Sequence, residues 1–358
     1  MSNLIKQQNN SSLTSFRVAH YFSDLYRYLP QRYILITDNK VASLWLKEFI
    51  NAPTPPLHCF IIQQGETEKS IKNWQSLVNR ALSLHLTQDT AVIALGGGVV
   101  TDFAGFFAAT YLRGLPLILC PTTLLAQVDA ACGGKNALNL AGVKNVVGQI
   151  YHPLQTLVAT ESLKTLPRTI LQDGLVESFK VALISGKAEF DNFKNLPCDL
   201  KNINWQDLIT KAIEQKMSVV NDSKSDPKAR WHLNLGHTLG HAIEAASDFS
   251  YRHGEAVAIG LSFVFYFSLI KQQITQDYFN EVMNCLKKWN LLPRLPKKSG
   301  FSVWWPYIKQ DKKSQQGDVY WVCPKGPGVA VLQSIDASEI KCAIPKWMEY
   351  YAHNLCQA

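Results

Sequence analysis

Long apolar runs are scarce in this chain of 358 residues. The most apolar stretch, Val257 to Ile270, is broken by Gly260, Ser262 and Ser268 and falls short of the ~20 residues a membrane span needs. The start, Met1 to Ser15, is rich in Asn, Gln and Ser and lacks the apolar centre of a secretory signal. Charge is also thin, at 18% Asp, Glu, Lys and Arg, and the densest basic clusters, Lys297-Lys298 and Lys312-Lys313, are only pairs. No basic stripe with interleaved aromatics is present to read nucleic acid. The eight cysteines form no C-x-x-C pair, and a chain of this size does not need disulfide stapling. Together these absences predict a cytoplasmic protein with reduced thiols, no membrane segment and no nucleic-acid partner.

What is present suits a packed enzyme. Hydrophobic residues make up 47% of the chain, enough for a sizeable core, and the length suggests about two domains. Thirty-six basic against twenty-eight acidic residues give a net charge of +8, which suits an anionic ligand. Short apolar runs at Tyr33 to Thr37, Cys59 to Ile62, Ala91 to Leu95 and Leu115 to Cys120 read as buried strands, and Lys69 to Leu86 carries apolar residues at helical spacing. Strand alternating with helix predicts a parallel sheet with crossovers.

After Pro167 helical periodicity takes over, in Thr169 to Ile184, Trp205 to Val220, Leu233 to Ala246, Glu255 to Ile270 and Tyr278 to Trp289. Late runs at Val319 to Val322 and Val329 to Leu332 predict a small hairpin. The expected fold is an α/β N-terminal domain with a parallel sheet, residues 1–167, followed by an all-α C-terminal domain, residues 168–358; the motifs that follow point to a dinucleotide-binding role for the first and a metal-binding role for the second.

Three groups of residues carry chemistry. After the run Ala91 to Leu95 comes Gly96-Gly97-Gly98-Val99-Val100-Thr101-Asp102 and a helical pattern. Bare glycine backbone lets a pyrophosphate approach, and the open N–H groups of a helix start are an anion site. The plainer reading is a tight turn capped by Thr101 or Asp102. Asp38 after the first strand, and Gly65-Glu66-x-x-Lys69 before a helix, could touch ribose or phosphate.

Second, His232, His237, His241 and His253 fall close together, with His237 and His241 four apart on one helical face. Imidazoles at that spacing can hold a divalent metal with an open position for substrate. Spacing leaves open which histidines are ligands, and Glu177, Glu244 and Glu255 all stand as candidates for an oxygen ligand.

Third, Lys135 after Gly133-Gly134 and the pair Lys144-Asn145 place cations beside small residues, as a phosphate pocket needs. Glu177 and Lys180 share a helix face at i,i+3, either as an exposed ion pair or as a buried part of a site.

Gly96 to Asp102, Pro121-Thr122-Thr123, Val128-Asp129 through Lys135, Lys144-Asn145, Leu175 to Lys180, Asn234 through Glu244 and His253-Gly254-Glu255, in that order, resemble the 3-dehydroquinate synthase family of sugar-phosphate cyclases. The likeness runs from about Asp38 to Lys313. It implies a lyase of the shikimate pathway, acting in chorismate and aromatic amino acid biosynthesis, that uses NAD and Zn2+ or Co2+. Its substrate would be an anionic phosphorylated sugar acid, 3-deoxy-D-arabino-heptulosonate 7-phosphate. Oxidation at C5, loss of phosphate, return of the hydride and aldol closure would follow in turn, in a site between the two domains.

By this resemblance the metal ligands are Glu177, His237 and His253, which makes His241 a non-ligand near the substrate phosphate. NAD contacts fall on Asp38, Glu66, Lys69, Gly97, Gly98, Asp102, Thr122, Thr123, Asp129, Lys144, Thr165 and Leu166. Lys135, Asn145, Asn234, His241 and one or both of Lys312 and Lys313 hold the phosphate end. Lys216 and Arg230 face the carboxylate, while Lys180 and Asp129 lie near the reacting hydroxyls. Arg113 resembles an arginine supplied across a homodimer interface. The chain departs from the family pattern at Thr101, Asn136, Val143 and Asp226. Sister cyclases making an inosose or a valiolone, and metal-dependent polyol dehydrogenases, are the alternative readings.

Overall fold

The computed structural model describes residues 3–6, 14–141, 143–222, 229–310 and 319–355. Lys312, Lys313 and Asp226 lie outside the described residues. The chain divides into two compact units, residues 1–174 with 204–217, and residues 175–203 with 218–358.

The first unit is built on a seven-stranded sheet. Its strands are β1 (Asn3–Lys6), β2 (Ser15–Ala19), β3 (Tyr33–Asp38), β4 (His58–Ile62), β5 (Ala91–Gly96), β6 (Leu117–Pro121) and, after a separate hairpin of β7 (Lys135–Leu140) and β8 (Val143–Ile150), β9 (Gln155–Ala159). They lie in the order β1-β2-β9-β6-β5-β3-β4. β2 to β4 run parallel to their neighbours, and β1 pairs antiparallel at the edge. Burial on both faces explains the unbroken apolar runs: every residue of β3, β5 and β6 is buried.

The crossovers are helical: α1 (Asn39–Ile50), α2 (Ile71–Ser83) and α3 (Gly98–Thr110). α2 starts at Ser70, whose hydroxyl accepts from the Asn73 N–H at 3.2 Å. The chain leaves β3 for β4 on one side and returns to β5 on the other. Open α/β sheets bind ligands at such a reversal, outside the carboxyl ends of the strands.

The second unit is helical. α4 (Arg168–Ser185) crosses into it, followed by α5 (Lys187–Lys194). α6 (Trp205–Asp222) returns to the first unit for most of its length. Next come α7 (His237–Ala246), α8 (His253–Ile270), α9 (Gln276–Lys288), α10 (Phe301–Ile308), the hairpin of β10 (Tyr320–Gly326) and β11 (Val329–Ser334), and α11 (Ala337–Asn354). α8 has the length and apolarity of a membrane span but is mostly buried, as the central helix of this unit. Around it pack the fully buried Trp289, Trp304, Trp321 and Trp347, with the Phe263 ring 5.5 Å from Trp321 and 5.3 Å from Trp347.

The expected strands and helices are present to within a few residues at their ends. Five further strands, β1, β2, β7, β8 and β9, carry no strand signal strong enough to read from sequence.

Candidate functional site

The second unit brings Glu177, His237 and His253 together, each from a different helix. Glu177 stands in mid-α4, and the two histidines are the first residues of α7 and α8. Glycines permit this convergence. A Cβ on Gly260 would lie 1.9 Å from the Gly236 carbonyl oxygen, so α8 and the start of α7 touch backbone to backbone. Gly236 itself has φ +78, a left-handed turn that launches α7.

Glu177 is fully buried, and its two oxygens have different partners. Oε2 takes the buried Lys180 ammonium. Oε1 faces His237 Nε2 at 3.6 Å and His253 Nε2 at 3.4 Å, yet has no hydrogen-bond partner. His237 Nδ1–H donates to the Leu235 carbonyl at 3.1 Å, and His253 Nδ1 meets Glu244 Oε2 at 3.4 Å. With each Nδ1 engaged, each Nε2 is turned towards Glu177 Oε1. One carboxylate oxygen and two imidazoles converging on a buried, unsatisfied point suit a divalent cation, and these donor atoms lie within 4.8 Å of one another.

Charge follows the same plan. Burial pushes the Glu177 carboxyl up, but Lys180 and His253 outweigh it and hold the group down at about 2. Burial, together with Lys180 and the neighbouring imidazoles, holds His237 well below the ordinary 6.5, neutral and ready to ligate. Burial also opposes a charge on His253, but Glu177 and Glu244 prevail and raise it to about 10.

The other candidates have other duties. Glu255 accepts the Arg252 N–H at 3.0 Å and pairs with its guanidinium at 2.7 Å, closing a cap on α8. Glu244 buttresses His253. His241 is exposed, its ring 5.3 Å from that of His237. It forms a second close group with Glu244 and His253. Asn234 donates to the Trp231 carbonyl at 3.2 Å, and Arg230 is half-buried. The Glu177 and Lys180 pair, which spacing alone leaves open to an exposed reading, is enclosed.

In the first unit, Asp38, Gly97 and Gly98, Thr122 and Thr123, and Thr165 and Leu166 all follow the carboxyl ends of parallel strands β3, β5, β6 and β9. α3 opens at Gly97 with no side-chain cap. The Thr101 hydroxyl instead donates back to the Gly98 carbonyl at 3.0 Å, and Asp102 takes Lys69 Nζ at 2.7 Å. The capping reading therefore fails: no side chain caps the start of α3, and an uncapped helix start is the kind of backbone on which an anion can bind. A Cβ on Gly97 would press on Thr123 Cγ2 at 3.2 Å. Asp38 Oδ1 accepts the Val41 N–H at 2.8 Å, capping α1.

Lys69 is buried, and its ammonium also reaches Asn145 Oδ1 at 2.5 Å and Glu66 Oε1 at 3.5 Å. Asp129 sits in a π-helical turn, Ala126–Ala130, a form that often marks functional sites. Lys216 Nζ lies 2.6 Å from both its Oδ1 and its carbonyl oxygen. Lys135 is exposed at the start of β7, Lys144 is half-buried on β8, and Arg113 is exposed on a 3-10 turn after α3.

Known proteins resemble this chain over most of its length. Residues 59–173 match the model of the 3-dehydroquinate synthase N-terminal domain, and residues 174–314 match that of the C-terminal domain. A 3-dehydroquinate synthase of Pyrococcus abyssi is 36% identical over 303 residues, covering 82% of this chain and 87% of its own. That of Pseudoalteromonas atlantica is 33% identical, covering 84% and 86%. Among solved structures, 2-deoxy-scyllo-inosose synthase complexed with carbaglucose-6-phosphate, NAD+ and Co2+ superposes with a TM-score of 0.85 at 26% identity, over 96% of this chain and 100% of its own.

Proposed function

The chain belongs to the 3-dehydroquinate synthase family, and we propose that it converts 3-deoxy-D-arabino-heptulosonate 7-phosphate to 3-dehydroquinate and phosphate with NAD and a divalent metal, Zn2+ or Co2+. The observation that carries this reading is the unsatisfied, buried Oε1 of Glu177 facing two inward-pointing imidazoles. When bound, the metal acidifies the substrate hydroxyls it meets, and NAD accepts and returns a hydride.

The residues of the chain hold and orient. Glu177, His237 and His253 would carry the metal. Asp38, Glu66, Lys69, Asp102, Thr122, Thr123, Lys144, Thr165 and Leu166 would line the dinucleotide, with its pyrophosphate on the bare backbone of Gly97 and Gly98. Lys135, Asn145, Asn234 and His241 would hold the substrate phosphate, joined by Lys312 or Lys313. Lys216 and Arg230 would take the carboxylate. Asp129 and Lys180 would hold protons at the reacting hydroxyls. Such fixed charges contribute by positioning and by stabilising developing negative charge. Arg113, exposed on its turn, suits donation to a second copy of the chain in a homodimer. The seven described cysteines are all free, which suits a reducing cytoplasm.

The test is release of inorganic phosphate. Protein supplied with NAD, zinc and the heptulosonate phosphate should release phosphate with no NADH in excess of enzyme. Chelation should abolish release, and zinc or cobalt should restore it. Turnover of only sedoheptulose 7-phosphate or glucose 6-phosphate would assign the chain to a sister cyclase, and accumulating NADH would assign it to a dehydrogenase. Higher identity to dehydroquinate synthases (36%) than to the inosose synthase (26%) favours the first outcome.

A further inference from the structure

Asn139, on β7 of the first unit, has no role in the reading above, yet it stands between the residues assigned to two different ligands. Its side-chain N–H2 donates to Glu66 twice, to the carboxylate Oε1 at 2.9 Å and to the backbone carbonyl at 3.2 Å. Its side-chain oxygen accepts the backbone N–H of Asn145 at 2.9 Å. Its own backbone N–H donates to the Lys69 carbonyl at 2.7 Å, where it forms a parallel bridge with Ser70.

Three of these bonds fix groups that would otherwise move. Asn145 has φ +55, a left-handed backbone that costs energy in a residue other than glycine and persists where neighbours hold it. The bond from Asn139 is such a hold, and it aims the Asn145 side chain at Lys69 Nζ. Glu66 lies on a short 3-10 turn, Glu66–Glu68, with no side-chain cap at its start, so the two bonds from Asn139 supply its anchor.

We propose that Asn139 is a positioning residue with two separable halves: its amide nitrogen sets Glu66 for the dinucleotide, and its amide oxygen sets Asn145 for the substrate phosphate. The proposal rests on the function proposed above, because it takes Glu66 and Lys69 as cofactor-side and Asn145 as substrate-side.

Asn139→Asp separates the halves. The carboxylate still accepts from Asn145 but meets Glu66 with repulsion in place of a bond. Asn139→Ala removes both. NAD affinity is read by calorimetry, which needs no turnover, and KM and kcat by phosphate release. A hydrogen bond to a charged group is worth about tenfold in affinity. N139D should therefore weaken NAD binding about tenfold or more with KM for the sugar phosphate little changed, while N139A should weaken both.

The double variant N139A/N145A should raise KM no further than N145A alone, since both changes act through one contact. The proposal is overturned if N139D shifts both constants equally, if the double variant is additive, or if the variants lower the melting temperature with both constants intact. Wild-type protein that binds no NAD or releases no phosphate defeats the broader reading instead, and that result is seen before any variant is made.

Discussion

Lys180 and Glu177, one helical turn apart on α4, divide the carboxylate: Lys180 takes Oε2, and Oε1 is left to the two imidazoles. An i,i+3 pair on an exposed helix is worth only a few tenths of a kcal/mol. Here Lys180 is 2% exposed and Glu177 0%, so neither charge has water to fall back on. The lysine balances the carboxylate's charge without occupying the oxygen a metal needs.

Glu177→Gln should therefore do two kinds of damage. It removes a metal ligand and leaves the Lys180 ammonium buried without its counter-charge, a change that costs about 3–5 kcal/mol. The expected outcome is a large fall in melting temperature, loss of bound zinc by elemental analysis, and phosphate release at background. A variant that keeps stoichiometric zinc contradicts the assignment of Glu177.

The pH dependence of metal binding follows from His253. Held at about 10, it is protonated in the metal-free protein at neutral pH, and a metal must displace that proton. His237, held well below 6.5, has none to lose. Apparent zinc affinity should thus rise about tenfold per pH unit through neutrality, levelling near pH 10. Calorimetry in buffers of different ionisation enthalpy should show about one proton released per ion.

For stability of the metal-free protein the signs are opposite for the two partners. The raised His253 contributes fully below 6.5 and is lost as pH climbs through about 10. The lowered Glu177 contributes above 4.5 and is lost as pH falls towards about 2.

Much of this centre was legible in the sequence, and the reason for the remainder is physical. The helices carrying Glu177, His237 and His253 announce themselves by apolar spacing, and the histidine cluster announces a metal. Yet i,i+4 spacing favours His237 with His241. The pairing with His253 depends on Gly236 and Gly260 bringing two helices into backbone contact, and no local pattern encodes that. The resemblance to a family supplied the ligand set that spacing left open.

In the other unit, β2 and β9 escape notice because each is five residues long and pairs with the other across about 140 residues of chain, Ser15 opposite Gln155. The β7 and β8 hairpin mixes Asn and Lys with its apolar residues, and three consecutive residues of β7 are buried while none of β8 is, so it lacks the alternation of apolar and polar residues that marks a strand. Asn139 was hidden with it.

Gly260→Ala tests the helix contact directly. Its methyl would lie 1.9 Å from the Gly236 carbonyl oxygen, and the helices must part to admit it, at about 1–3 kcal/mol. A lower melting temperature together with weakened zinc binding is expected, since His237 follows Gly236 at once. An unchanged zinc affinity, measured against a competing chelator, would separate the crossing from the metal centre.

Lys216→Met addresses the first unit. It strips Asp129 of a cation bonded at 2.6 Å to both its carboxylate and its carbonyl. Loss of one member of a partly desolvated charge pair costs about 2 kcal/mol or more, or roughly thirtyfold in KM for the sugar phosphate. Affinity for NAD should change much less, and an equal loss in both would place Lys216 with the cofactor.

The fully buried indoles of Trp289, Trp304, Trp321 and Trp347 all belong to one unit, which also holds Trp231 and Trp305, while Trp45, Trp74 and Trp205 lie in the other, so the molecule's own fluorescence is weighted towards the helical unit. Light emitted from those dry rings shifts to the red when water reaches them, so the shift reports mainly on the helical half. Circular dichroism sees both halves. Denaturation followed by the two signals will diverge wherever the sheet-bearing half opens at a different point, which turns a single titration into a measure of how far the halves unfold as one.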